Sequence, residues 1–191
     1  MRIGVLASQG AFAEHIAMLR QLGVEVLPVR LLRELKGLDG LIIPGGESTS
    51  ISKLMLDYNL MSKIRNLAKN GLPIFGTCAG MILLANEISN SDIELLKVMD
   101  ITVRRNAFGR QRDSFETELS IPVLGEKSFL GVFIRAPIIV QANNEVEILA
   151  ELGGTGVAAR QGKLLASAFH PELTDGLRFH QYFLDIVAGH Q

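Results

Sequence analysis

Cys78 is the only cysteine in the chain, and its neighbours suit a nucleophile. Pro73, Ile74 and Phe75 begin an apolar run without alternation, the pattern of a fully buried parallel strand. Gly76, Thr77, Cys78, Ala79 and Gly80 follow, all small or turn-tolerant, and Met81 to Ala85 is apolar and helix-forming. Strand, tight turn and helix in that order make a nucleophile elbow with Cys78 at its tip. Gly76 and Gly80 are expected to remove Cβ atoms that would crowd so sharp a turn. The helix starting there would aim free backbone N–H groups and a positive dipole end at the sulfur, favouring thiolate. A buried, inert cysteine is the competing reading, because free cysteines often sit in cores. A base beside the sulfur separates the two.

His170, Pro171 and Glu172 supply one, at the end of the strand-like run L-L-A-S-A-F. In extended chain, residues two apart point to the same side, and a proline keeps the residue before it extended. Glu172 is thus expected to accept a hydrogen bond from one imidazole nitrogen, leaving the other to face a thiol. His15, His180 and His190 have no acid at such spacing. They read as ordinary residues of the first helix, the last helix and a fraying terminus.

Residues 44–48, P-G-G-E-S, bring a third element. Glycines at a strand end let the backbone approach a ligand and turn its N–H groups outward. Ligands of a doubly wound sheet lie beyond the carboxyl ends of its strands, where Cys78 would also sit. N–H groups of Gly46 and Ala79 would then form an oxyanion hole, and a flip of the Gly45–Gly46 backbone would switch it on or off. The alternative is a plain turn before a helix capped by Ser48. The basic segment 104–112 (Arg104, Arg105, Asn106, Phe108, Gly109, Arg110, Gln111, Arg112) reads as a solvated loop or as a fork for a substrate carboxylate. Arg135, within F-I-R-A-P, is a further arginine at a strand end.

The first half of the chain alternates apolar strands and helices in the order β-α-β-α-β, which predicts an α/β protein with a parallel sheet covered on both faces. Helices are expected at 11–21, 49–58 and 60–70, with Phe12, Ile16, Leu19 and Leu22 on the apolar face of the first. After Glu87 the pattern turns to strands at 98–104, 115–121, 130–134, 146–152, 156–160 and 164–169. A last helix at 175–187 turns Leu177, Phe179, Tyr182, Phe183, Ile186 and Val187 inward. With 191 residues, 48% of them hydrophobic, and no repeat or linker, one domain over 1–191 is expected. A net charge of −1 gives no pull toward nucleic acid or anionic membrane. One cysteine makes no intrachain disulfide and fits a reducing cytoplasm. No run reaches membrane-spanning length, the N-terminal apolar run is too short for a signal sequence, and four scattered histidines make no metal site.

Taken together, these motifs resemble the class I, triad-type glutamine amidotransferases, which carry a P-G-G turn, a G-x-C-x-G elbow and a late H-P-E in this order. The resemblance is closest to the branch of glutaminase subunits of pyridoxal 5'-phosphate synthase. It rests on Q-G-A at 9–11 followed by Glu14 and His15, P-G-G-E-S-T at 44–49, and T-C-A-G-M-I-L-L-A at 77–85. R-N-A-F-G-R-Q at 105–111, F-I-R-A-P at 133–137 and H-P-E-L-T at 170–174 complete it. It implies a flavodoxin-like three-layer fold with a mixed, mostly parallel central sheet. It implies Cys78 as nucleophile, His170 as base and Glu172 as its orienter, with Gly46, Glu47, Ser48, Arg105, Ile134 and Arg135 binding L-glutamine. No cofactor is implied. The implied partner is a synthase subunit, a β/α barrel that receives ammonia through an internal path. Amidotransferases for other acceptors, elbow-cysteine peptidases or glyoxalase-type proteins, and a non-catalytic scaffold are the competing classes.

Overall fold

The computed structural model describes residues 1–108 and 113–190. Gly109, Arg110, Gln111 and Arg112 of the basic segment therefore lie outside the described residues. The first half runs β1 (Arg2–Leu6), α1 (Phe12–Gln21), β2 (Glu25–Val29), β3 (Gly40–Ile43), α2 (Ser48–Asp57), α3 (Leu60–Lys69), β4 (Ile74–Thr77) and α4 (Ala79–Leu84). The second half runs β5 (Ala85–Ile88), β6 (Met99–Arg104), β7 (Ser114–Leu119), β8 (Phe129–Ile134), β9 (Ile138–Ala142), β10 (Glu147–Leu152), β11 (Thr155–Gln161), β12 (Leu164–Ser167) and α5 (Arg178–Ala188).

The main sheet has the order β2-β1-β3-β4-β12-β11-β9-β6-β5, with β10 paired to β11, while β7 and β8 form a separate ribbon. From β2 to β12 every pairing is parallel. Beyond β12 the pairings with β11, β9 and β6 are antiparallel, and the last, β5 with β6, is parallel again. The sheet is therefore mixed and mostly parallel where the site motifs sit, in the flavodoxin-like order. β3, β4 and β12 are buried along their whole length, which is why they read as unbroken apolar runs.

Helices cover both faces. Phe75 of β4 meets Phe179 and Phe183 of α5, with ring centroids 5.4 and 5.6 Å apart, and His15 of α1 lies against the same ring. On the opposite face α4 lies directly on β3 and β4. A Cβ at Gly80 would overlap the Ile43 carbonyl, and one at Gly76 would meet the Gly80 backbone. These glycines thus serve the contact of helix on sheet rather than relieving the crowding at Cys78 expected from sequence.

Two strands escaped the sequence reading. β5 follows α4 without a break, so its residues look like a helix tail, and β9 comes four residues after β8, hidden behind Pro137. Both helical faces are also rotated from expectation. Buried residues of α1 are His15, Met18 and Leu19, and those of α5 include His180 and Leu184 beside Phe179, Phe183 and Ile186. Phe12, Ile16, Leu22, Leu177, Tyr182 and Val187 are only partly buried. Among the described residues no helix is long and apolar enough to cross a membrane.

The tightest seam can be probed directly. Gly80→Ala is expected to cost about 1–3 kcal/mol, because backbone rather than a mobile side chain blocks the added methyl. Urea unfolding reads this; unchanged stability would mean α4 can lift from β3 freely.

Candidate active site

Strand pairing brings the distant motifs together. β12 lies parallel to β4 with Ser167 opposite Thr77, so the elbow and the end of β12 emerge side by side. The Cys78 N–H donates to the Ser167 carbonyl at 2.7 Å, and the His170 N–H to the Val132 carbonyl of β8 at 2.8 Å. Three residues beyond β12, His170 is thus carried next to the sulfur. Cys78 itself has φ 48° and ψ −100°, a strained conformation for a residue with a Cβ, as expected of an elbow.

His170 Nδ1 lies 2.6 Å from Glu172 Oε1 with both side chains buried. The spacing works for a different reason from the one expected. Pro171–Leu173 is a 3-10 turn rather than extended chain, and the turn folds Glu172 back under the imidazole. The Cys78 thiol donates to the Ile134 carbonyl at 3.8 Å, and the sulfur and the imidazole line the same cavity. Burial alone would lower the His170 pKa, but hydrogen bonding to Cys78 and Glu172, and their negative charge, push it up to about 10. The arrangement favours a protonated His170 ring beside the sulfur.

The P-G-G turn closes over this pair. A Cβ on Gly45 would collide with the His170 ring, and one on Gly10 with the Gly45 carbonyl, so three chain segments stack in direct contact. The Gly45 N–H donates to Thr77 Oγ1 at 3.0 Å and its carbonyl accepts from the Ala11 N–H at 3.2 Å. In a trans peptide the C=O and N–H point opposite ways, so the Gly46 N–H is turned away from Ala11. Ala79, first residue of α4, has an N–H with no partner inside its helix.

A cavity of about 150 Å³ is lined by Gly46, Ser48, Cys78, Ala79, Ile82, Arg105, Asn106, Ile134, Arg135 and His170. Of the residues singled out from sequence, Glu172 stands behind His170, and Glu47 stands at the rim. Glu47, not Ser48, caps α2, accepting from the Thr49 and Ser50 N–H groups at 3.0 and 2.8 Å. Burial works against its ionisation, but the Ser50 hydroxyl and the two backbone donors outweigh that and hold its carboxyl down to about 2. Arg105 lies 3.5 Å from Glu47 Oε1 and reaches Ser91 Oγ at 3.3 Å. Arg135 is exposed and has φ 43°.

Sequence reasoning missed the layer beneath. His15 and His180 are fully buried, with His15 Nδ1 2.8 Å from His180 Nε2. His15 Nε2 lies 3.2 Å from Thr77 Oγ1 and 3.4 Å from Glu172 Oε2. Burial, and then the nearby His180 and His170 charges, hold His15 well below its usual value, and burial brings His180 down to about 4. The sequence carried a signal for burial alone: His15 is three residues after Phe12 and four before Leu19, on the apolar face.

A model of the SNO glutamine amidotransferase family matches residues 5–188. A pyridoxal 5'-phosphate synthase subunit PdxT of Moorella thermoacetica is 58% identical over 98% of this chain and 100% of its own length. The same-named subunit of Thermotoga neapolitana is 52% identical over 98% of this chain and 100% of its own. A crystal structure of a glutamine amidotransferase superposes with a TM-score of 0.93 at 49% identity, covering 97% of this chain and 98% of that one. The chain belongs to the SNO glutamine amidotransferase family.

Proposed function

We propose that the chain, acting as a single amidotransferase domain, is the glutaminase subunit of a pyridoxal 5'-phosphate synthase. It hydrolyses L-glutamine to L-glutamate and delivers the ammonia to a synthase barrel subunit in the reducing cytoplasm. The observation that carries this reading is the 2.6 Å contact of His170 with Glu172 beside Cys78, at the floor of a cavity rimmed by two arginines. The names of the relatives support the pathway and the partner.

In this mechanism the Cys78 thiolate adds to the glutamine side-chain carbonyl carbon, and the electron pair of the C=O moves to oxygen. The N–H groups of Gly46 and Ala79 receive that oxyanion. His170, having held the thiol proton, donates it to the leaving nitrogen, the C–N bond breaks, and ammonia departs. The imidazole then takes a proton from water, whose oxygen attacks the glutamyl thioester, and the C–S bond breaks to release glutamate. Glu172 keeps the ring oriented through Nδ1 throughout. Gly46, Ser48 and the Ile134 backbone shape the floor, with Glu47, Arg105 and Arg135 holding the substrate's amino and carboxylate groups.

Glutamine hydrolysis measured with and without the partner subunit tests the assignment. Clear turnover in the complex is expected, and its absence there would overturn the reading. Cys78→Ala is expected to abolish turnover in the complex while leaving assembly intact; retained hydrolysis would remove Cys78 from its role. The charge state of His170 gives a separate check. A raised pKa means that the ring keeps its proton as pH rises past 6.5 and loses it only toward about 10. Imidazole NMR resonances should follow that course in the wild type and titrate at lower pH in Cys78→Ala, where the sulfur's bond and charge are gone. Identical titrations would mean that the sulfur does not hold the proton.

A further inference from the structure

His15 and His180 take part in no step above, yet they stand directly behind the triad. Resting on the roles just given to Cys78, His170 and Glu172, we propose that His15 is a positioning residue of the reaction. Its Nε2–H holds the second oxygen of Glu172, and His180 fixes the tautomer that makes this possible.

Two buried polar atoms in this layer lack partners among the described residues. Glu172 spends Oε1 on His170, while Oε2 is buried with no hydrogen-bond partner among the described residues. The His15 Nε2 faces it at 3.4 Å. His180 Nδ1 is likewise buried and without a partner. Two proton arrangements fit the 2.8 Å contact between the histidines. In the first, His180 Nε2–H donates to His15 Nδ1, and His15 Nε2–H points at Thr77 Oγ1 and Glu172 Oε2. What remains unmatched is a bare lone pair on His180 Nδ1, and the Thr77 hydroxyl rotates to suit. In the second, His15 donates from Nδ1 to His180. Its Nε2 lone pair then faces the carboxylate oxygen, and His180 Nδ1 carries a buried N–H with nothing to accept it. Orphaned buried N–H groups are the rarer and costlier defect, and two electron-rich atoms in contact repel. The first arrangement holds.

Burial keeps both rings neutral, so the wire donates without adding charge beside the His170 imidazolium, Glu172 and the Cys78 sulfur. At 3.4 Å the contact is loose in the resting molecule; catalytic hydrogen bonds commonly tighten in the reacting complex. Thr77 extends the consequence. The hydroxyl that lies 3.2 Å from His15 Nε2 also accepts the Gly45 N–H at 3.0 Å. One imidazole thus steadies both the acid of the triad and the turn that carries the Gly46 N–H.

The test compares two variants in the assembled complex. His15→Phe keeps aromatic bulk and deletes both nitrogens, whereas His15→Gln keeps a neutral N–H donor near the Nε2 position. His15→Phe is expected to lower kcat by about 10- to 100-fold, by analogy with the loss of outer partners that orient metal-bound histidines. KM for glutamine should stay close to wild type, and His15→Gln should recover most of the lost kcat. Equal losses in both variants, or a loss confined to KM, would make His15 a filler of space and overturn the proposal. Long-range 1H–15N spectra of the wild type decide the matter even where a variant fails to fold. His15 and His180 are both expected as neutral Nε2–H tautomers near pH 7, and a neutral Nδ1–H tautomer at His15 overturns the proposal. Absence of glutamine hydrolysis by the wild-type complex would instead overturn the function proposed above, and the tautomer measurement would still decide this inference.

Discussion

A carboxylate sealed from water is the constraint around which this site is built. Glu172 is buried in the core of the molecule, and removing such a group from water costs several kcal/mol unless donors replace the lost hydration. Its replacements are imidazoles: His170 at 2.6 Å on one oxygen and His15 at 3.4 Å toward the other. Those partners come from a turn after β12 and from α1, so the carboxylate is matched only when sheet and helix layer are both assembled. The fold and the triad geometry therefore form together.

The sheet supplies the rest by register. Parallel pairing of β4 with β12 puts Thr77 opposite Ser167, and from that one alignment the sulfur and the imidazole become neighbours without any long loop. The turns after β1 and β3 meet across the switch point of the strand order, where Gly10, Gly45 and the His170 ring stack without room for a Cβ between them. Such close layers leave little freedom for the backbone groups that face the cavity.

Much of this was legible in the residues. The unbroken apolar runs of β3, β4 and β12 marked parallel strands, and the small residues around Cys78 marked an elbow whose strain appears in its φ of 48°. His170 and Glu172 were legible as a pair although their local geometry was not, because a 3-10 turn and an extended segment can both bring residues two apart into contact. His15 and His180 were illegible as functional residues for a different reason. Their importance lies in contacts across 165 residues of sequence, between helices whose apolar faces, read alone, treat histidine as polar. β5 was lost because it begins at the end of α4 without a turn signal, and β9 because only the short link 135–137 separates it from β8.

Floor and rim of the cavity differ in kind. Beneath the floor, contacts between 2.6 and 3.2 Å join buried side chains, with His15 reaching His180 and Thr77 on separate elements. At the rim, Arg105 and Glu47 are 3.5 Å apart with a quarter to two fifths of each side chain in solvent (25% and 42%). An ion pair that open to water contributes about 0–1 kcal/mol. Glu47 is anchored instead by its cap on α2, so Arg105 can leave it at little cost. Arg135 sits on a strained backbone at φ 43°, a conformation that persists only where neighbours impose it, here through its N–H bond to the Asp113 carbonyl at 2.6 Å. The side chains of the rim can therefore move without disturbing the buried histidines and carboxylate below.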